Sequence, residues 1–141
     1  MSSNRPTPKQ RKLVATRAKF RCEYCLIPVI VSTQPFNVDH IIPSSKGGVT
    51  KPDNLAFSCG CNNYKSDYIT APDPQNGELV PLFHPRQQLW ADHFGWSENS
   101  LQIIGRTPTG RATISQLRMN RDELVELRKL LLPDGRHPPT D

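Results

Sequence analysis

The 141-residue sequence has no long apolar run. Its longest run, Leu26–Val31, is interrupted by Pro28 and is far shorter than the ~18 residues that span a bilayer. Residues 1–10 have no apolar stretch of the kind that secretory signals contain. These absences predict a cytoplasmic protein without a membrane partner. Hydrophobic residues are also scarce, at 35% with 14 prolines and 8 glycines, which predicts a loop-rich globular chain with a modest core.

Acidic residues are absent from the first 21 positions, which contain seven basic ones. Residues 1–70 have ten basic and four acidic residues, whereas residues 71–141 have eight and nine. A one-sided basic segment attracts a polyanion such as nucleic acid, although a solvated tail that maintains solubility explains the charge equally well. On the first reading, the residues that hold the phosphate backbone are Lys9, Arg11, Lys12, Arg17, Lys19 and Arg21.

Cysteine is limited to four residues, and all four fall into two close pairs. Cys22 and Cys25 form a C-x2-C knuckle, and Cys59 and Cys61 form a second pair that is one residue shorter. Two close pairs separated by a hairpin-sized insert favour a structural Zn²⁺ site with four thiolate ligands. A redox pair and inert thiols are the alternatives, but a redox pair needs a βαβ context that is absent here.

The local patterns predict an α+β fold in four segments: a disordered tail (1–8), a core (9–70), a C-terminal extension packed on it (71–135) and a second tail (136–141). In the core we predict a helix from Thr7 to Phe20, strands at Leu26–Val31 and Phe36–Ile42, and a short helix at Asn62–Ile69. In the extension we predict a helix at Pro85–Phe94, a strand at Leu101–Gly105, a helix from the Thr107 cap to Met119, and a last helix that begins at an Asn120–Glu123 capping box and ends at Leu132.

The insert between the cysteine pairs, together with the residues directly after the second pair, contains side chains suited to phosphodiester hydrolysis. Asp39 offers a hard carboxylate oxygen for Mg²⁺ or Mn²⁺, and Asn62 offers an amide oxygen as a second ligand. His40 can act as a general base at neutral pH. Asn54 can bind backbone groups or orient the imidazole, and Lys65 can contact a phosphate. A surface Asp-His pair at a strand end is the alternative for the dipeptide taken alone.

In order, these elements read C-x2-C, VDHIIP, GG, DNL and C-x-CN-x2-K, and they strongly resemble the HNH endonucleases of the ββα-metal (His-Me finger) group in their four-cysteine form. The resemblance covers about residues 15–70. It implies a β-hairpin and a helix that grip one divalent ion, with His40 as general base, Asp39 and Asn62 as metal ligands, and Asn54 as the residue that orients the base or its loop. The short second knuckle leaves Asn63 as a competing ligand, but the spacing to Lys65 favours Asn62.

The second half of the chain also resembles the C-terminal extension of a bacterial HNH subgroup, in its segments 78–86, 90–94 and 105–113. The resemblance implies an endonuclease acting on DNA, for which we expect the double-stranded form. A non-catalytic zinc module that binds nucleic acid is the runner-up, and an RNA-directed nuclease is a third hypothesis. The sequence leaves the target site, the oligomeric state and the choice between nicking and double-strand cleavage open.

Overall fold

A computed structural model describes residues 5–139 of the chain. Within this range the fold is α+β, as predicted, with five α-helices and three small antiparallel sheets of two strands each. The helices are α1 (Pro8–Arg17), α2 (Cys61–Lys65), α3 (Trp90–His93), α4 (Pro108–Leu117) and α5 (Asp122–Leu131). The strands are β1 (Asn37–His40), β2 (Leu55–Ser58), β3 (Thr70–Pro72), β4 (Leu79–Pro81), β5 (Phe94–Trp96) and β6 (Ile103–Gly105).

The ββα unit that holds the site consists of β1, β2 and α2. β1 pairs with β2 in antiparallel register, with Asp39 opposite Ala56 and His40 opposite Leu55. α2 begins three residues after β2, at Cys61. Asn37 and Asp39 share one face of β1, whereas Val38 lies on the other face and packs on the small core around Val14 of α1. This alternation separates the side chains of Asp39 and His40.

The predicted strand at Leu26–Val31 is wrong, and the partner of β1 is β2 instead. The apolar residues of that stretch serve the cysteine knuckle: Cys22 N–H donates to Ile27 O, and Leu26 turns back with a φ of 66° so that its N–H reaches Cys22 O. Pro28 has no N–H to offer a sheet ladder. Val29–Val31 then form a single 3₁₀ turn.

Two helix predictions are confirmed, although the helices end earlier than predicted, at Arg17 and Leu117. α1 begins at Pro8 after a capping box in which Thr7 and Gln10 bond each other's backbone, and α4 begins at Pro108 with Thr107 as its cap. The predicted strand at Leu101–Gly105 is also confirmed, as β6 over its last three residues.

Two other helix predictions need correction. Between Pro85 and Phe94 only α3 is helical, and it ends at His93 because Phe94 pairs with Gly105 and starts β5. The short helix predicted at Asn62–Ile69 ends at Lys65, since Ser66 takes a φ of 54°.

The predicted last helix is confirmed as α5, but the predicted Asn120–Glu123 capping box does not form. The side chain of Asn120 bonds the backbone of Ile103 in β6 instead, and Arg121 precedes α5 without a side-chain cap.

One hydrophobic core joins the two halves of the described chain. It contains Cys22, Tyr24 and Cys61 together with Leu117 and Leu131 of the extension. The segment that follows α2 is a β-hairpin of β3 and β4, and Asp73 in its turn is buried and pairs with Arg111 of α4. The division at residue 71 stays a prediction.

At the chain ends, His137 is buried and its ring packs on Trp96 with centroids 4.4 Å apart. Residues 1–4 of the predicted N-terminal tail and residues 140–141 of the C-terminal one lie outside the described range.

Candidate metal centre and active site

The four cysteines converge on one point at the base of the ββα unit. All four Sγ atoms lie within 4.8 Å of one another, and none of the four cysteines forms a disulfide. Cys59 Sγ lies 3.5 Å from Cys25 Sγ and 3.8 Å from Cys61 Sγ. Zn–S bonds of ~2.3 Å place tetrahedral sulfurs about 3.8 Å apart. The cluster therefore fits a four-thiolate zinc ion, as predicted from the spacing.

Gly60 explains how the short second pair reaches this geometry. Its φ is 137°, in the region that favours glycine, and this backbone conformation lies between Cys59 and Cys61 at the start of α2. The departure from the longer knuckle spacing is thus absorbed by the backbone, and both sulfurs remain in the cluster.

An arginine of the extension faces the sulfurs. Arg121 Nη2 lies 3.5 Å from Cys59 Sγ, and its Nη1 lies 3.6 Å from Cys61 Sγ. The pKa of the Cys59 thiol is lowered, chiefly by hydrogen bonds from the other three cysteines and further by Arg121. Burial disfavours the charge on Arg121, but Cys61 and Cys59 outweigh it and raise the pKa of the guanidinium. These contacts thus favour the ionised form at Cys59.

Asp39 is held by two side chains on the α2 side of the hairpin. Its Oδ2 accepts a hydrogen bond from Tyr24 Oη at 2.8 Å and lies 3.1 Å from Lys65 Nζ. Burial raises the pKa of the Asp39 carboxyl, and the positive charge of Lys65 and the Tyr24 hydrogen bond oppose that rise. Tyr24 lies between the two cysteines of the first knuckle, so the cysteine cluster and this carboxylate are joined through one residue.

Lys65, which we predicted to contact a phosphate, pairs with Asp39 in the structure. Its side chain is almost fully buried, and its Nζ also donates to His40 O at 3.2 Å. In this position Lys65 joins α2 to the end of β1 and neutralises Asp39.

His40 ends β1 and is oriented by a threonine. Its Nε2 lies 2.8 Å from Thr50 Oγ1. When Nε2 carries the proton and donates to this hydroxyl, Nδ1 retains its lone pair. The loop between β1 and β2 supplies Thr50, and Gln10 of α1 donates to its carbonyl at 3.2 Å. The imidazole is therefore held by the loop and α1, rather than by Asp39 or Asn62.

Asn54 fixes the loop that follows His40. Its Oδ1 accepts from Ile42 N–H at 2.9 Å, and its Nδ2 donates to Ile42 O at 2.9 Å and to Val49 O at 2.8 Å. Gly48 approaches the same loop so closely that a Cβ there would lie 1.6 Å from Ile42 O. Of the two roles that the sequence left open for Asn54, binding backbone groups is the one seen.

Asn62 faces β1, whereas Asn63 is exposed and lies toward Gly60. Asn37 Nδ2 donates to Asn62 Oδ1 at 3.4 Å, which places Asn62 beside the face of β1 that carries Asp39. A Cβ at Gly60 would lie 3.8 Å from Asn63 Nδ2. This arrangement favours Asn62 over Asn63 as the partner of Asp39.

The predicted basic residues divide into two groups. Lys9, Arg11, Lys12 and Lys19 are exposed. Arg17 donates to the carbonyls of Pro52 and Leu55, and Arg21 donates to those of Leu26 and Arg136. The latter two arginines therefore bind the fold to itself. Three of the four exposed residues, Lys9, Arg11 and Lys12, lie on α1, which is docked against the Thr50 loop.

Sequence reasoning did not identify four residues of this region. Tyr24 stands inside a C-x2-C motif, and its position between two ligands is the one signal that could have singled it out. Thr50, Asn37 and Arg121 have no local signal, because their partners lie 10, 25 and about 60 residues away.

An antiparallel hairpin, a following helix and a four-cysteine cluster at their base define a zinc-type ββα domain. Residues 22–67, about a third of the chain, match the sequence model of the HNH endonuclease family. The chain therefore contains an HNH endonuclease domain, which indicates a nuclease-type function and metal binding. Searches of the curated proteins and of the solved structures found no significant match. Within residues 5–139, no helix is both long and apolar enough to span a bilayer.

Proposed function

We propose that this protein is a metal-dependent endonuclease that hydrolyses phosphodiester bonds in double-stranded DNA. The observation that carries the proposal is the HNH match over residues 22–67, together with the positions of Asp39 and His40 at the end of β1. His40 is the general base: Thr50 holds Nε2, and Nδ1 accepts a proton from the attacking water.

Asp39 and Asn62 would hold the divalent ion, Mg²⁺ or Mn²⁺. The donor set is an oxygen pair, which suits these hard cations, and Asp39 Oδ1 remains for a ligand bond while Oδ2 is held by Tyr24 and Lys65. When bound, such an ion supplies stabilisation for the negative charge that develops on the phosphate oxygens. Asn54 has no contact with the reacting atoms in this scheme and acts as a positioning residue.

The exposed cations of α1 support nucleic acid as the substrate. Lys9, Arg11 and Lys12 lie on a helix that has no acidic residue and is tied to the Thr50 loop by Gln10 and Arg17. Contacts with phosphates position a duplex without selecting its sequence. A phosphate backbone that crosses α1 therefore passes beside the loop that orients His40.

A supercoiled-plasmid assay tests the proposal. We expect nicked or linear product with Mg²⁺ or Mn²⁺, none with EDTA, and none from His40→Ala or Asp39→Asn. Asp92→Asn, an exposed carboxylate on α3, is the matched control and should cut like the wild type. Each variant is assayed only after its zinc content matches the wild type. Cleavage that persists in His40→Ala would refute the assigned base.

A non-catalytic zinc module is the second candidate, and the ion pair of Lys65 with Asp39 favours it. An ammonium 3.1 Å from the carboxylate takes a place that a divalent cation would otherwise fill. This candidate predicts that wild type and His40→Ala bind a DNA duplex equally and that neither cuts it with any of the ions.

A further inference from the structure

With zinc bound, the cysteine cluster would have a net negative charge that the HNH core does not neutralise. Four thiolates and one Zn²⁺ leave two negative charges, and three of the four cysteines are buried. Buried net charge is costly unless it is paired. Lys65 is the cation of α2, and its Nζ already bonds Asp39 and His40 O.

The compensating charge comes from the extension (residues 71–135). The two Nη atoms of Arg121 point at Cys61 and Cys59, at 3.6 and 3.5 Å. The same guanidinium donates to the carbonyls of Leu117 and Arg118, which fixes its direction. Its Nε bonds Glu123, but that side chain is 69% exposed and its charge is largely solvated.

A second cation of the extension lies behind the first. Arg128 is fully buried, and it bonds the carbonyls of Leu101 and Met119 and the side chain of Asn120. Among residues 5–139 no carboxylate pairs with it, and its Nε is buried without a partner. The buried face of α5 therefore carries the positive charge of Arg128 without a carboxylate paired to it among the described residues.

We propose that the extension supplies the counter-charge of the zinc–thiolate site through Arg121, so that zinc retention and docking of the extension depend on each other. The HNH core provides four sulfurs, and residue 121 completes the site from outside the HNH match. The proposal concerns the metal site and the extension, and it stands whether or not the protein cuts DNA.

Arg118 offers a matched control for this role. Its guanidinium packs over the Tyr64 ring at 5.0 Å, and that of Arg121 packs over the same ring at 5.1 Å. Arg118 is exposed, and its contact in the structure is with the ring rather than with a sulfur. Replacing either arginine therefore removes packing on the Tyr64 ring, whereas only replacing Arg121 removes a positive charge from the sulfurs.

The experiment measures the zinc affinity of the full-length protein by competition with a chromophoric chelator. We expect Arg121→Gln to bind zinc at least about tenfold more weakly, as changes at residues that contact metal ligands commonly do. Arg121→Lys, which keeps the charge, should lose less, and Arg118→Gln should stay within about twofold of the wild type. Equal losses in Arg121→Gln and Arg118→Gln, equal losses in Arg121→Gln and Arg121→Lys, or no loss in Arg121→Gln would each overturn the proposal.

Tryptophan emission provides a second measurement that needs no variant. Both tryptophans of the chain, Trp90 and Trp96, lie in the extension, and Trp90 Nε1 donates to Tyr24 O in the first knuckle at 2.8 Å. When the chelator removes zinc from the wild type, the emission should shift to the red as the extension loosens. An unchanged emission spectrum after complete zinc loss would overturn the dependence of the extension on the metal.

Discussion

Replacing Asn54 by alanine should destabilise the whole domain, because this one side chain closes the loop between β1 and the 3₁₀ turn at Pro52–Asn54. Asn54 is 6% exposed and makes three hydrogen bonds, all to backbone atoms of Ile42 and Val49. Alanine leaves one N–H and two C=O groups without these partners. Each such loss costs about 1 kcal/mol, so the free energy of unfolding should fall by about 3 kcal/mol.

Urea denaturation of the zinc-loaded protein, followed by far-ultraviolet circular dichroism, measures this change. Asn63→Ala is the control, because Asn63 is exposed on α2 and its removal should change the free energy of unfolding by less than about 0.5 kcal/mol. Since the same loop carries Thr50, Asn54→Ala should also lower plasmid nicking. A loss of stability below about 1 kcal/mol would refute the reasoning, because the three bonds would then be replaced by water at no cost.

Three further predictions concern other parts of the molecule. Arg111 holds the pKa of the Asp73 carboxyl below its usual range, so this ion pair should stabilise the fold at neutral pH. The stabilisation should be lost as the pH falls through the lowered pKa. Arg111→Met should therefore make the melting temperature less dependent on pH in the acid range. Gly60→Ala should weaken zinc binding in the chelator assay, since a φ of 137° is strained for any residue with a Cβ. Thr50→Val should lower kcat with little change in KM, because it removes the hydroxyl that orients His40, and an unchanged kcat in steady-state nicking assays would contradict this role.

The parts of the fold that sequence predicted correctly are those fixed by local chemistry. The cysteine pairs are short motifs, and the starts of α1 and α4 are marked by Thr7 and Thr107 with a proline directly after each. Metal-ligand spacing and helix caps act within a few residues, so a single sequence carries their signal. The order of hairpin and helix followed from the motif resemblance.

The errors arose where a distant partner decides the local structure. All four residues of β2 are buried, so this strand shows no alternation of polar and apolar side chains and could not be distinguished from a loop. Leu26–Val31 has strand-like composition, but the cysteine knuckle determines its backbone. Asn120 is a residue type that often caps helices, yet its side chain accepts a hydrogen bond from Ile103 of β6, 17 residues earlier in the chain.

In the candidate site, too, the sequence predicted which residues take part but not which groups each of them contacts. The sequence predicted Asp39, His40, Asn54 and Asn62 as site residues. The structure places Asn62 near the face of β1 that carries Asp39, and it places the His40 imidazole against Thr50 of the loop between β1 and β2. Lys65 was nominated for a phosphate, but it is buried against Asp39. Motif spacing identifies which residue types are present, whereas hydrogen bonds across the fold decide what each of them faces.

The structure also connects the cysteine cluster with Asp39, which we propose as a ligand of the hydrolytic metal. Tyr24 sits between two of the cysteines and reaches Asp39, and α2 begins with Cys61 and ends with Lys65, whose ammonium reaches the same carboxylate. Both groups that orient Asp39 are therefore anchored at their other end by a cysteine of the cluster. Zinc bound there would fix the carboxylate by positioning its two partners. Loss of zinc should therefore disturb the Asp39 carboxylate before it disturbs the imidazole of His40, which Thr50 holds.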